Sequence, residues 1–185
     1  MEQNIIVWDP LIRIFHWSLV TAVTICYFTQ EQYYELHLLA GYSIAALVVI
    51  RIIWGFVSTG HARFSDFVRS PAIVMRHLKQ LVQGKPPHYL GHNPAGGAMI
   101  IALLLAMIVL CVSGIMLDAA ENRSGPLGDT KLFRYLTPIQ NTHDMVTEIT
   151  VVLVFIHILG VISQSVIGRE NLVRAMITGK KRSRA

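Results

Sequence analysis

Residues 143–157 read HDMVTEITVVLVFIH, an apolar run closed at each end by a histidine. Fourteen residues separate His143 from His157. At 1.5 Å and 100° per helical residue, that spacing places both imidazoles on nearly one stripe, roughly 21 Å apart along the axis. Lipid is a poor medium for imidazole, and polar side chains there are rare, partnered and functional. Two further histidines, His16 and His37, stand inside or at the mouths of other apolar segments. The pattern predicts two stacked metal centres, each completed by a histidine from another helix.

The rest of the 185-residue chain agrees with a membrane setting: 53% of it is hydrophobic and only 15% charged, where a soluble domain carries about 25% charged residues. The formal charge of +5 comes from basic residues clustered beside the apolar segments. That fits anionic lipid head groups; no aromatic-rich basic patch calls for nucleic acid. Cys26 and Cys111 lie in apolar stretches and read as small buried hydrophobes, without a disulfide framework or redox motif. The opening MEQNIIVWDPLIRIFHW lacks a basic n-region and a cleavage signature, so the first apolar segment is expected to be a retained span.

Runs near 20 apolar residues mark membrane helices, predicted at about 11–28, 38–57, 95–117 and 148–167, the last extended back to His143. The expected fold class is all-α: an integral membrane four-helix bundle formed by one domain, residues 1–185, with a cytoplasmic interfacial amphipathic helix. Lys and Arg set the orientation. Residues 30–36 have none, whereas Arg63, Arg69, Arg76, Lys79 and Lys85 follow the second span, and Arg169, Arg174, Lys180, Lys181, Arg182 and Arg184 follow the fourth. Both termini are therefore expected on the cytoplasmic side of the membrane. Ser70-Pro71 is a helix start, and Ile73, Val74, Leu78, Leu81 and Val82 then recur at helical spacing up to Gly84 and Pro86-Pro87. This is the interfacial helix; Asn171–Thr178 is a weaker one of the same kind.

Topology pairs the histidines by depth. His16 falls near the cytoplasmic end of the first helix and His157 near that of the fourth, while His37 and His143 open their helices at the outer face. Two histidines per site suit a porphyrin, which supplies four nitrogens itself and asks the protein only for axial ligands; a structural zinc wants four protein ligands. Gly41 and Gly160 would make room for the macrocycles, although glycine is also a common helix-packing residue in membranes. Arg51 lies fourteen residues after His37, on the same stripe at the depth of the cytoplasmic site. A heme propionate would be its partner, and Arg13, one turn before His16, shares that face; snorkelling to the interface is the other reading of both. His61, His77, His88 and His92 read as solvated residues of a basic connection, His92-Asn93-Pro94 as a helix lead-in, and Met107, Met116 and Met145 as packing.

VWDPLIRIFHW around His16, LHLLAGY followed by RIIWGF around His37 and Arg51, and the His143/His157 pair resemble the bacterial cytochrome b561 and nickel-hydrogenase b-type cytochrome family. GHARFSDFVRSP and YLGHNPAGG look like the hydrogenase-cytochrome branch, and the resemblance covers nearly the whole chain. It implies four membrane helices, two heme b groups held by His16 with His157 and His37 with His143, the family's second-helix arginine at Arg51, and electron exchange with the quinone pool. The partner it implies is a hydrogenase or a periplasmic c-type cytochrome, with superoxide as the substrate of a quinol-superoxide oxidoreductase in the alternative. An electron-transfer subunit and a quinone-linked oxidoreductase both stay open at this stage, as does an oligomer. Quinone-site candidates at the outer face are Tyr33, Tyr34, Glu35, Asp144 and Glu148, and the Asp118–Thr142 connection is the largest exposed piece there. The rival classes are a histidine-lined metal or proton transporter and a structural anchor.

Overall fold

Asp9-Pro10 starts the first long helix by two local devices. The Asp9 carboxylate accepts a hydrogen bond from the Ile12 amide at 2.9 Å, and Pro10 occupies the first helical position, where its missing N–H is no loss. In the computed structural model, which describes residues 4–30, 32–84, 87 and 89–182, the elements are β1 (Asn4–Ile6), α1 (Pro10–Thr29), α2 (Tyr34–Val57), α3 (Phe64–Phe67), α4 (Pro71–Val82), α5 (Pro94–Asn122), α6 (Leu136–Ile167), α7 (Leu172–Thr178) and β2 (Lys180–Arg182). Lys85, Pro86, His88 and Arg184, named above, lie outside the described residues.

The chain is predominantly helical, and α1, α2, α5 and the helix ending at Ile167 are long and apolar enough to cross a membrane. Their large apolar side chains point outward: Leu39, Ile53, Phe56, Leu105, Val112, Val152, Phe155 and Val166 are all exposed. In water so much exposed apolar surface would be a liability; against lipid it is ordinary. The inward stripe of α2 runs Ala40, Ile44, Val48, Arg51, the face that also carries His37. Helix ends extend past the apolar runs, because α5 continues through Asp118 to Asn122 and α6 begins at Leu136.

Two compact units make up the chain. One comprises Met1–Ser18, Ile50–Ile101 and Phe155–Ala185, the other Leu19–Val49 and Ala102–Val154. In the first, the two ends of the chain meet. β1 pairs antiparallel with β2, Ile5 opposite Lys181, and the amides of Val7 and Trp8 donate to the Gly179 carbonyl at 2.8 and 3.2 Å. Gly179 ends α7 at φ +77°, and a Cβ there would stand 2.7 Å from the Trp8 carbonyl oxygen, so only glycine serves. Val7, Trp8 and Ala175 form the small core beneath this pair.

α4 starts at Pro71 as expected and stops before Gly84 at φ +70°, although Ser70 supplies no side-chain cap. Met75, Leu78 and Val82 are exposed along it while His77 is only 2% exposed. The reading of His77 as a solvated residue is therefore corrected: it sits edge-on to Tyr89 at 5.4 Å, with neither ring nitrogen bonded among the described residues. Burial lowers its pKa from 6.5. A histidine held neutral in the folded state stabilises above its unfolded pKa, and that stability is lost as pH falls below it. His77→Phe is expected to gain about 1–3 kcal/mol by removing unsatisfied polar atoms. Melting curves between pH 8 and pH 5 should also show a smaller acid-side loss than the wild type.

Candidate functional site

Within the unit formed by Leu19–Val49 and Ala102–Val154, α2 and α6 bring His37 and His143 together, ring centroids 6.5 Å apart and the ring planes steeply inclined at 69°. Each ring is held from behind. Nδ1 of His37 lies 3.0 Å from the Cys26 carbonyl oxygen, which can only accept, so that nitrogen carries the proton. Nδ1 of His143 lies 2.9 Å from Ser113 Oγ. That hydroxyl spends its own proton on the Leu110 carbonyl at 3.2 Å, so it too accepts from the imidazole. Both Nε2 atoms are thereby left as bare lone pairs, the arrangement second-shell partners impose on metal-binding histidines.

The surroundings are cut to these rings. A Cβ at Gly114 would press against His143 Cε1 at 3.3 Å. The Cys26 thiol contacts the His37 carbonyl at 3.5 Å, tying the α1 end to the α2 start a second time. At Gly41, one turn along α2 from His37, an added Cβ would meet nothing within 4 Å. Sequence reasoning took Cys26 as a packing residue and passed over Ser113. A backbone carbonyl has no sequence signature, but a lone serine in an apolar helix was a visible signal.

The same unit holds a polar knot. Tyr34 donates to Asp118 Oδ1 through a very short hydrogen bond; Ser124 Oγ donates to the same oxygen at 2.5 Å, and Asn122 Nδ2 donates to the Tyr34 hydroxyl at 2.8 Å. Asp118 is 4% exposed. Gly125, at φ +68°, closes the loop onto Asp118 and Tyr42, both of which a Cβ would strike at 2.8 Å. Of the residues named for the outer face, Tyr34 is thus committed to fastening the connection after α5. Tyr33, Glu35, Asp144 and Glu148 are exposed, and Glu148 lines an open apolar groove with Ile149, Val152 and Leu153.

In the other unit, His16 is within electrostatic reach of His157, and its Nδ1 is buried without a hydrogen-bond partner. A Cβ at Gly160, one turn from His157, would likewise meet nothing within 4 Å. Arg13 donates from Nη1 to the Ile177 carbonyl at 2.6 Å, capping the end of α7 with a cation, while its Nε is buried and unbonded. Arg51 is 3% exposed, lies over the rings of Phe64 and Phe67 at 5.0 and 5.8 Å, and leaves Nη1 without a partner. Cation–π contact offsets part of that burial but accepts no N–H bond.

The expectation of a solvated His92 is also corrected. Its ring packs between Trp8 at 4.4 Å and Phe67 at 4.9 Å, with Nδ1 buried and unbonded. Burial, then the positive charges of Arg51 and Lys181, push its pKa down to about 3, so it is neutral. His61 pairs with Asp66 at 2.9 Å. Burial lowers the pKa of Lys181 and its pairing with Glu170 at 3.5 Å opposes that shift. Sequence reasoning missed this because the neighbours of His92 come from the chain's ends and from α3.

Known proteins are similar to this chain over most of its length. The protein described as "Probable Ni/Fe-hydrogenase B-type cytochrome subunit" of Rhodobacter capsulatus is 24% identical over 97% of this chain and 82% of its own. Its namesake in Rhizobium leguminosarum bv. viciae is 23% identical over 97% and 90%, and that of Azotobacter chroococcum 27% identical over 77% and 65%. No solved structure matches significantly. A sequence model of the family described as "Prokaryotic cytochrome b561" matches residues 7–179, and the chain, which carries His16, His37, His143 and His157 on three of its four apolar helices, belongs to that family.

Proposed function

We propose that the chain is a single-domain, membrane di-heme b-type cytochrome that passes electrons between the quinone pool and a redox partner. Both termini and the interfacial helix α4 lie on the cytoplasmic side in this reading. The observation that carries it is the His37–His143 pair. Two imidazoles 6.5 Å apart, with both Nδ1 protons tied back and both Nε2 lone pairs free, would hold a heme iron between them. His16 and His157, whose rings are not tied back in this way, would hold the second heme, and the open space at Gly41 and Gly160 suits the macrocycles' edges. Arg51, with Arg13, supplies counter-charge for propionates. The residues present therefore fit two heme b groups.

Bound heme supplies reversible one-electron chemistry, its potential set by axial ligands and burial. The protein's part is to fix the tautomers of His37 and His143, to offer two histidines to each heme, and to exclude water with an apolar sheath. The one helix α6 carries a ligand for each site, fourteen residues apart, which sets the span the electron must cross. The hydrogenase subunits among its relatives favour a hydrogenase over a c-type cytochrome as partner.

A reduced-minus-oxidised spectrum of the purified protein is expected to show b-type bands, with pyridine hemochrome giving two hemes per chain; colourless protein grown with ample heme would end the proposal. Gly41→Leu supplies the control. An added Cβ there meets nothing within 4 Å, so the variant should fold and keep its melting temperature without cofactor, yet lose the heme held by His37 and His143.

A further inference from the structure

The segments GHARFSDF (60–67) and YLGHNPAGG (89–97) take no part in either histidine pair, yet they build one compact cage. α3 is pressed against its neighbours through bare glycines. A Cβ at Gly97 of α5 would stand 2.5 Å from the Phe67 carbonyl oxygen, one at Gly91 would stand 2.6 Å from His61 Nδ1, and one at Gly55 of α2 would collide with the Phe64 ring. Phe67 is fully buried. It walls one side of His92, Trp8 walls the other, and Lys181 of the terminal strand lies over Trp8 at 5.9 Å.

Inside the cage the charges can be counted off. His61 has Asp66, and Lys181 has Glu170. Asp9 is committed to the Ile12 amide and, at 3.5 Å, to Trp54 Nε1. Two nitrogens remain buried and unbonded among the described residues of this cage: Arg51 Nη1 and His92 Nδ1. Guanidinium cannot shed its charge, and a cation this deeply buried calls for an anion. His92 feels the Arg51 charge and rests against the same Phe67 ring, so a neutral imidazole N–H there is a second donor, and two neighbouring donors match the two oxygens of a carboxylate.

We propose that Arg51 and His92 together bind a carboxylate, that of a porphyrin propionate from the group held by His16 and His157, and that the two motifs and the paired chain ends exist to hold this cage shut. The inference rests on the di-heme reading and adds His92 to it as a cofactor-binding residue. A carboxylate in the cage would give Arg51 Nη1 the hydrogen-bond acceptor that it lacks among the described residues, since Asp9 acts on the guanidinium by charge alone.

The test is heme release to excess apomyoglobin from purified protein in vesicles with or without anionic lipid. The signal that His157→Ala removes identifies the heme concerned, and the remaining heme reports folding. His92→Leu keeps the packing and removes the donor; release is expected to be about tenfold faster, the worth of a hydrogen bond to a charged group. His92→Gln keeps a donor and should stay within about twofold of wild type. Loaded with heme dimethyl ester, which has no carboxylate, wild type and His92→Leu should release alike. Equal release with ordinary heme, a Gln variant as leaky as Leu, or a difference that persists with the ester would overturn the proposal. A difference present only with anionic lipid would overturn it in favour of a head group. Protein that binds no heme at all would instead refute the di-heme reading.

Discussion

His37→Ala is expected to abolish one of the two hemes while leaving the other at full occupancy, and His143→Ala should do the same to the same heme. The argument is geometric. The two rings stand 6.5 Å apart, each anchored through Nδ1 to a separate group, the Cys26 carbonyl and Ser113 Oγ. Loss of either ligand would leave that heme with one protein ligand, and Tyr34, one turn before His37 on α2, is already bonded to Asp118. The pairing partner, His16 with His157, lies in the other unit and keeps its own ligands. Hemochrome stoichiometry and the spectrum of the surviving heme check this. If either variant lost the His16/His157 heme and kept the other, the ligand assignment would be wrong. Ser113→Ala is a milder version, since it frees the His143 tautomer without removing the ligand, and second-shell changes of this kind weaken metal affinity about 10–100-fold.

Gly97→Ala should destabilise the chain, against the expectation from helix propensity. In an exposed helix interior, alanine would gain about 1 kcal/mol over glycine. At Gly97 the new Cβ would stand 2.5 Å from the Phe67 carbonyl oxygen, a backbone atom that cannot rotate away. Moving α3 costs about 1–3 kcal/mol by the usual scale of overpacking, and the displaced Phe67 ceases to wall His92 and Arg51. Thermal melts of Gly97→Ala beside Gly41→Ala make the comparison, because Gly41 has open space where Gly97 has backbone. A Gly97→Ala variant as stable as Gly41→Ala would show that α3 is not held as described.

These two glycines illustrate what a sequence can and cannot reveal. Both occur in apolar helices, and residue type alone gave no reason to treat them differently. Gly41 was legible as room beside His37 because the histidine spacing pointed there. The role of Gly97 depends on α3, four residues long, whose position no periodicity announces. Ser113 was likewise visible as a hydroxyl in an apolar run, but its partner stands thirty residues away.

Helix existence, by contrast, needed nothing beyond local composition, because a backbone in lipid must satisfy its own hydrogen bonds and helices do so segment by segment. The spacing of His143 and His157 on one helix, and of His37 and Arg51 on another, followed from that regularity alone. Only the tertiary structure decided that Cys26 and Ser113 orient the paired rings, that His77 and His92 are packed rather than solvated, and that the two ends of the chain pair as strands around Trp8. Each of those depends on groups far apart in sequence meeting in space, and the energy of such a contact belongs to neither segment until both are in place.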